Sequence, residues 1–375
     1  MRGSNSWLRR VAGLGLTLAL SGFAAAQTTW SQDGPVPRVH PSGVFDPTTD
    51  QMIVFGGLPY GTTVPLNDVW GNQQIVANAQ VAEPNLDWTP VFPTGTAPAG
   101  RSGHSAIYDS NSGNMIVFAG AGATACLNDL WTLEDANSSM GIPNWFELTA
   151  SGTIPPARAQ QSAVYDATKN ILIVFGGTNC AGGYFSDVWT LSNANGTGGT
   201  PTWTQLSPSG TAPAARENSS AIYDSTNHVL TIYAGDAGGA GMSDVWTLSN
   251  ANGQNGTPTW TQLSPTGAKA PPARTGQSGV YDTVDNRMII FGGITTLTGT
   301  GYLGDTWILT YPNNIGGTPA WIALKVTGTA PLRRFHDAFY DSQYNDMLIF
   351  GGDSQIMPIS ADDRTFVLTE ANGLK

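Results

Sequence analysis

Hydrophobic and polar positions in this chain fall into short blocks that return in one order. A small-apolar segment such as Ser162-Ala163-Val164-Tyr165 precedes the polar cluster Asp166 to Asn170. A uniformly apolar run, Ile171 to Phe175, follows and ends at Gly176-Gly177. A third block, Asp187-Val188-Trp189-Thr190-Leu191, and a fourth around Trp203-Thr204-Gln205-Leu206 complete the unit. The blocks have strand length, and the polar cluster holds the Asp and Asn side chains that stabilise tight turns. Each unit therefore reads as four antiparallel strands. Small residues suit the first to an innermost position crowded by neighbours, and the second, apolar without alternation, suits a strand covered on both faces.

The unit occurs six times. Arg38, Arg101, Arg158, Arg216, Arg274 and Arg333 mark its starts at intervals of 57 to 63 residues, and Gly57, Gly120, Gly177, Gly235, Gly293 and Gly352 end the apolar runs at the same intervals. A four-stranded sheet with two apolar faces must stack on copies of itself, and radial stacking satisfies every copy. The expected fold is all-β, a six-bladed β-propeller. After Leu368 no Trp remains for a fourth strand of the last unit, whereas Thr28-Thr29-Trp30-Ser31-Gln32 has that strand's character. An N-terminal strand is expected to complete the last blade and remove its free edge.

Several of these residues together resemble the kelch-repeat family: the run Arg101-Ser102-Gly103-His104-Ser105, the Phe-Gly-Gly ends at Phe55, Phe175, Phe291 and Phe350, and the later Trp. The resemblance covers nearly all of residues 27–375 and implies a kelch-type propeller. The chain departs from the pattern at Ala119-Gly120 and Ala234-Gly235, and at Phe366 in place of the third-strand Trp. Copper radical oxidases such as galactose oxidase also contain a kelch propeller, but their crosslinked Tyr and Cys with two His find no counterpart here. Cys126 and Cys180 both fall in loops after second strands.

Composition narrows the class further. With 46 Gly, 24 Pro and only 11% charged residues a helical bundle is excluded, and 16 Lys and Arg against 27 Asp and Glu disfavour nucleic acid or an anionic membrane as partner. Met1 to Ala26 combines Arg2, Arg9 and Arg10 with the apolar stretch Val11 to Ala19 and Ala24-Ala25-Ala26, the make-up of a secretory leader cleaved after Ala26. Residues 27–375 are then a single mature domain, secreted or periplasmic and without membrane insertion. Cys126 and Cys180 form either one disulfide in that oxidising compartment or two free thiols.

Antiparallel order sends the fourth-to-first and second-to-third loops to one face of the disc. The six unit-opening arginines and Arg334 share one of these loop classes. They form either a positive funnel for carboxylates, sulfates or acidic sugars, or clamps that bind carboxylates between blades. Glu217, Asp236 and Asp353 break the repeat and are candidate ligand contacts for that reason. His40, His104 and His336 enter neighbouring blades, but His40 is offset by one residue from the register that His104 and His336 share, so neither a metal nor another cofactor is expected. The function expected is recognition of a protein or carbohydrate by the channel-mouth loops. The alternative is a carbohydrate-active enzyme resembling bacterial kelch proteins that equilibrate sialic acid anomers, with Glu217 and Arg216 as its catalytic pair.

Overall fold

A computed structural model of the chain describes residues 34–72, 88–297, 300–354 and 365–374. These residues form six radial sheets, one per repeat, and no helix among them is long and apolar enough to cross a membrane. In blade three the strands Ser162–Asp166, Ile171–Phe175, Val188–Ser192 and Thr202–Gln205 lie in that order, each antiparallel to the next. The other innermost strands are Ser42–Asp46, Ser105–Asp109, Ser220–Asp224, Ser278–Asp282 and Asp337–Asp341. Their neighbour contacts run round the ring and return from the sixth blade to the first.

Turn chemistry follows the sequence. Asp166 accepts hydrogen bonds from the backbone N–H groups of Thr168 and Lys169, and Asn170 takes a left-handed φ of 53°. The wholly buried second strands pack against the fourth-strand Trp of the following blade. The pairs Phe55–Trp145, Phe118–Trp203, Phe175–Trp260, Tyr233–Trp321 and Phe350–Trp88 have ring centroids 4.7–5.5 Å apart. Blade six shows three strands among the described residues. The fourth strand expected from Thr28 to Gln32 lies outside them.

Each blade is locked by its arginine. Arg158 is fully buried, donates from Nη1 and Nη2 to the two carboxylate oxygens of Asp187 at 2.8 Å, and donates again from Nη1 to the Gly176 carbonyl. Trp189 donates its indole N–H to the same carboxylate at 2.6 Å, which accounts for the recurring Asp-x-Trp of the third strand. Arg38–Asp68, Arg101–Asp129, Arg216–Asp244 and Arg274–Asp305 repeat the arrangement. Burial pushes these carboxyls up, but hydrogen bonds and charge from the arginines outweigh it and hold Asp68, Asp129, Asp244 and Asp305 below the usual range. In blade six, where Phe366 replaces Trp, the Arg333 guanidinium lies 4.9 Å from the Phe366 ring.

The arginine backbone belongs to the preceding blade. The second glycine of each apolar run donates to the carbonyl of the next arginine, and Gly352 donating to Arg38 at 3.0 Å closes the circle. One residue thereby ties two blades. On the opposite face a second belt links Asp46 to Asn137, Asp109 to Asn195, Asp166 to Asn252, Asp224 to Asn313 and Asp282 to Asn372.

Two further features tie blade to blade. After the outer strands of blades one to four the chain crosses to the next blade and adds a short parallel segment or bridge to its rim, as Thr94–Gly95 does on Asn144–Glu147 and Ser151–Gly152 on Thr202–Gln205. Cys126, at the start of the third strand Cys126–Glu134 of blade two, forms a disulfide with Cys180 in the second-to-third connection of blade three, with Cα atoms 5.6 Å apart.

Arg158→Ala removes one half of a buried pair and strands the Asp187 carboxylate. Because Asp187 keeps some solvent exposure, the expected loss of unfolding free energy is about 2–4 kcal/mol. Urea denaturation monitored by Trp fluorescence checks it, and a loss below about 0.5 kcal/mol, the level of a surface pair, contradicts the clamp.

Candidate functional site

The six unit-opening arginines do not build a positive funnel. Arg38, Arg101, Arg158, Arg216, Arg274 and Arg333 are all at or below 2% exposure. Five of them are neutralised by third-strand carboxylates. Arg216 and Glu217 are therefore not brought together: the guanidinium binds Asp244, and the charge that Glu217 feels is that of Asp236.

Glu217 and Asp236 exchange backbone hydrogen bonds of 2.8 and 3.0 Å at the mouth of blade four. Asp236 is fully buried, its carboxylate taking a hydrogen bond from the Thr275 hydroxyl and one of 2.9 Å from the Gly238 N–H. Burial, and then the charge of Asp236, push the Glu217 carboxyl up to about 7. Tyr184, from the second-to-third connection of blade three, is raised by burial and by both acids. The equivalent pair in blade six is Arg334 and Asp353, joined by two hydrogen bonds of 2.9 and 3.0 Å, with the Arg334 guanidinium 5.0 Å from the Tyr302 ring. One register thus carries a salt bridge in blade six and two like charges in blade four.

Between these loops the channel opens into a cavity of about 220 Å³. Its rim comprises one residue from each blade, two positions after the arginine: His40, Gly103, Gln160, Asn218, Gly276 and Phe335. All six have positive φ, between 49° and 64°. Backbone hydrogen bonds of 2.7–3.0 Å join His40 to Phe335, Gly103 to His40, Gln160 to Gly103, Asn218 to Gln160 and Phe335 to Gly276. His40 and Phe335 stack, with ring centroids 4.1 Å apart. The amides of Gln160 and Asn218 come from blades three and four, half-way round the ring from that stack.

The histidines hold no common ligand position. Burial, then nearby arginine charge, depress His40 to about 4, His336 to about 3 and His104 well below its usual value. Among the described residues no cluster of three or more His, Cys, Asp or Glu is placed to hold a metal ion.

Asp337 lines the cavity and was not among the residues expected from sequence. It stands where the other blades have Ser42, Ser105, Ser162, Ser220 and Ser278. That departure from the repeat was the available signal, the same kind that singled out Glu217. Burial drives the Asp337 carboxyl up to about 7, against backbone hydrogen bonds from Gly43 and Ala338 that pull it down.

A family model described as the KLHDC2/KLHL20/DRC7 kelch-repeats domain matches residues 138–269. Adagio-like proteins 3 and 1 of Oryza sativa subsp. japonica and Adagio protein 3 of Arabidopsis thaliana are each 27% identical over 75% of this chain. Six copies of one kelch-like unit in a closed ring join these matches to the observed fold. This chain is a kelch-repeat β-propeller. It spans about two fifths of the length of those relatives, 41–42%. Among solved structures, that of YjhT superposes with a TM-score of 0.60 at 15% identity, covering 90% of the kelch chain here and 99% of YjhT, a likeness of fold alone.

The raised carboxyl of Glu217 sets a pH dependence for this kelch propeller. A carboxyl whose folded value lies above its unfolded one supports the fold fully below the unfolded value, and the support is lost as pH rises through about 7. Glu217→Gln is therefore expected to raise stability at pH 8 by about 1 kcal/mol, after discounting for its partial exposure, with no gain at pH 4. Melting curves across that range check it, and an equal effect at both pH values contradicts it.

Proposed function

We propose that this kelch propeller is an exported recognition module whose channel-mouth face binds a protein or carbohydrate partner. One observation carries the reading. The rim positions share a left-handed backbone and a common hydrogen-bonded belt, yet their side chains are His, Gly, Gln, Asn, Gly and Phe. Residues that hold the blades together recur from unit to unit, whereas the rim and the Glu217, Arg334 and Asp337 positions vary. A fixed frame with varied side chains over a cavity is the construction of a binding surface. The protein-interaction role general to kelch domains supports a macromolecular partner. Export through Met1 to Ala26 belongs to the same proposal, supported by the Cys126–Cys180 bond, since disulfides persist in oxidising compartments.

The double variant Gln160→Gly/Asn218→Gly keeps the left-handed backbone, because blades two and five already carry Gly there. It is expected to abolish binding seen on a glycan array or with a purified secreted partner, while shifting the melting temperature by less than about 3 °C. Undiminished binding by the double variant overturns the assignment to the rim.

A second reading rests on the Glu217 carboxyl, poised near neutrality beside Asp236 and Tyr184, a state suited to proton transfer on a sugar. If it holds, the protein accelerates anomer exchange of sialic acid, followed by NMR, and Glu217→Gln removes the acceleration. Exchange at the uncatalysed rate in the presence of the wild-type protein eliminates it.

A further inference from the structure

Five of the six repeat arginines are paired with carboxylates inside the blades, Arg333 donates to the Gly351 carbonyl, and Arg334 is bound to Asp353. Asp337 lines the cavity from blade six. Its Oδ2 accepts the Gly43 N–H of blade one at 2.5 Å and its Oδ1 the Ala338 N–H at 2.9 Å. No Lys or Arg pairs with it among the described residues. The titratable neighbours along the same wall are His40, His104 and His336, which burial keeps neutral.

A second observation is independent of that charge. Gln161 and Gln277 line the cavity at 8% and 6% exposure, and each leaves its amide oxygen without a hydrogen-bond partner among the described residues. Their amide nitrogens are engaged, Gln161 on the Phe118 carbonyl at 3.2 Å and Gln277 on the Ser220 hydroxyl at 2.9 Å. What remains is acceptor capacity. A carboxylate with no cationic partner and buried amide oxygens without donors call for a donor-rich cation.

We propose that the channel cavity binds a primary ammonium group, with Asp337 as its counter-ion and the amide oxygens of Gln161 and Gln277 as further acceptors. The ammonium arrives on a free alkylamine or on a lysine side chain of a protein partner. A cavity of about 220 Å³ has room for a butylammonium arm in either case. The proposal deepens the recognition reading, because it gives that face the charge of its ligand.

Calorimetric titration of the mature chain with n-butylammonium chloride, n-butanol and N-acetyl-lysine methylamide at pH 8 tests it. Butylammonium is expected to bind and its neutral isostere butanol not. Asp337→Asn is expected to weaken butylammonium at least about tenfold without lowering the melting temperature. If the Asn variant does not fold, Asp337→Ser, the residue of the five other blades, replaces it. Wild-type affinity should fall between pH 8 and pH 5.5 as the carboxyl takes up its proton, also in a Glu217→Gln background that removes the other acid titrating there. Tighter binding of the lysine amide than of butylammonium assigns the source to a protein, and the reverse to a small amine. Absence of butylammonium binding, equal binding of butanol, or indifference to Asp337→Asn overturns the proposal. A partner lost in Gln160→Gly/Asn218→Gly but retained in Asp337→Asn would leave the recognition reading standing without it.

Discussion

A guanidinium shut away from water must meet a carboxylate, and in this protein that requirement sets the spacing of everything else. Arg158 reaches across its own blade to Asp187 while its backbone hydrogen-bonds to Leu127 and Gly120 of the blade before. The third strand is held at the distance of a two-pronged ion pair, the indole of Trp189 is fixed by the same acid, and the angle between blades follows from one residue serving two sheets. The apolar contacts between second-strand Phe or Tyr and the next blade's Trp then fill a gap whose width is already determined.

The consequence for the site is a reversal of sign. Arginine abundance on one loop class suggests attraction for anions, but five of the six unit-opening charges are paired within the scaffold. The electrostatics of the mouth are left to the residues that depart from the repeat. Glu217 and Asp236 in blade four and Asp337 in blade six are acids, and Arg334 of blade six already has Asp353. The acids that depart from the repeat, rather than its arginines, are then what the mouth offers to a charged ligand.

Much of the fold was legible because its determinants are local or periodic. The Asp166 to Asn170 turn, the unbroken apolar second strand and the fixed offset between Arg and Gly are visible in one dimension, and they required a ring of six. The partner of each Arg was harder to read. Asp187 is distant in sequence, although Asp-x-Trp recurs in every unit with a clamp of this form and is missing in the last, where Phe366 places its ring 4.9 Å from the Arg333 guanidinium. The left-handed rim was hidden because Gln160 and Phe335 are not residues whose identity announces positive φ. Pairing of Cys126 with Cys180 needed a Cα separation that no spacing rule supplies.

The borrowed segments on the blade rims make the blade seen by eye a poor unit of inheritance. Thr94–Gly95 emerges from blade one yet hems blade two, and Ser151–Gly152 leaves blade two to hem blade three. A cut placed neatly between two sheets would strip the margin from one and leave a dangling ribbon on the other. Rings of this construction can gain or shed a sector only by exchanging a stretch that begins within one sheet and finishes within its neighbour.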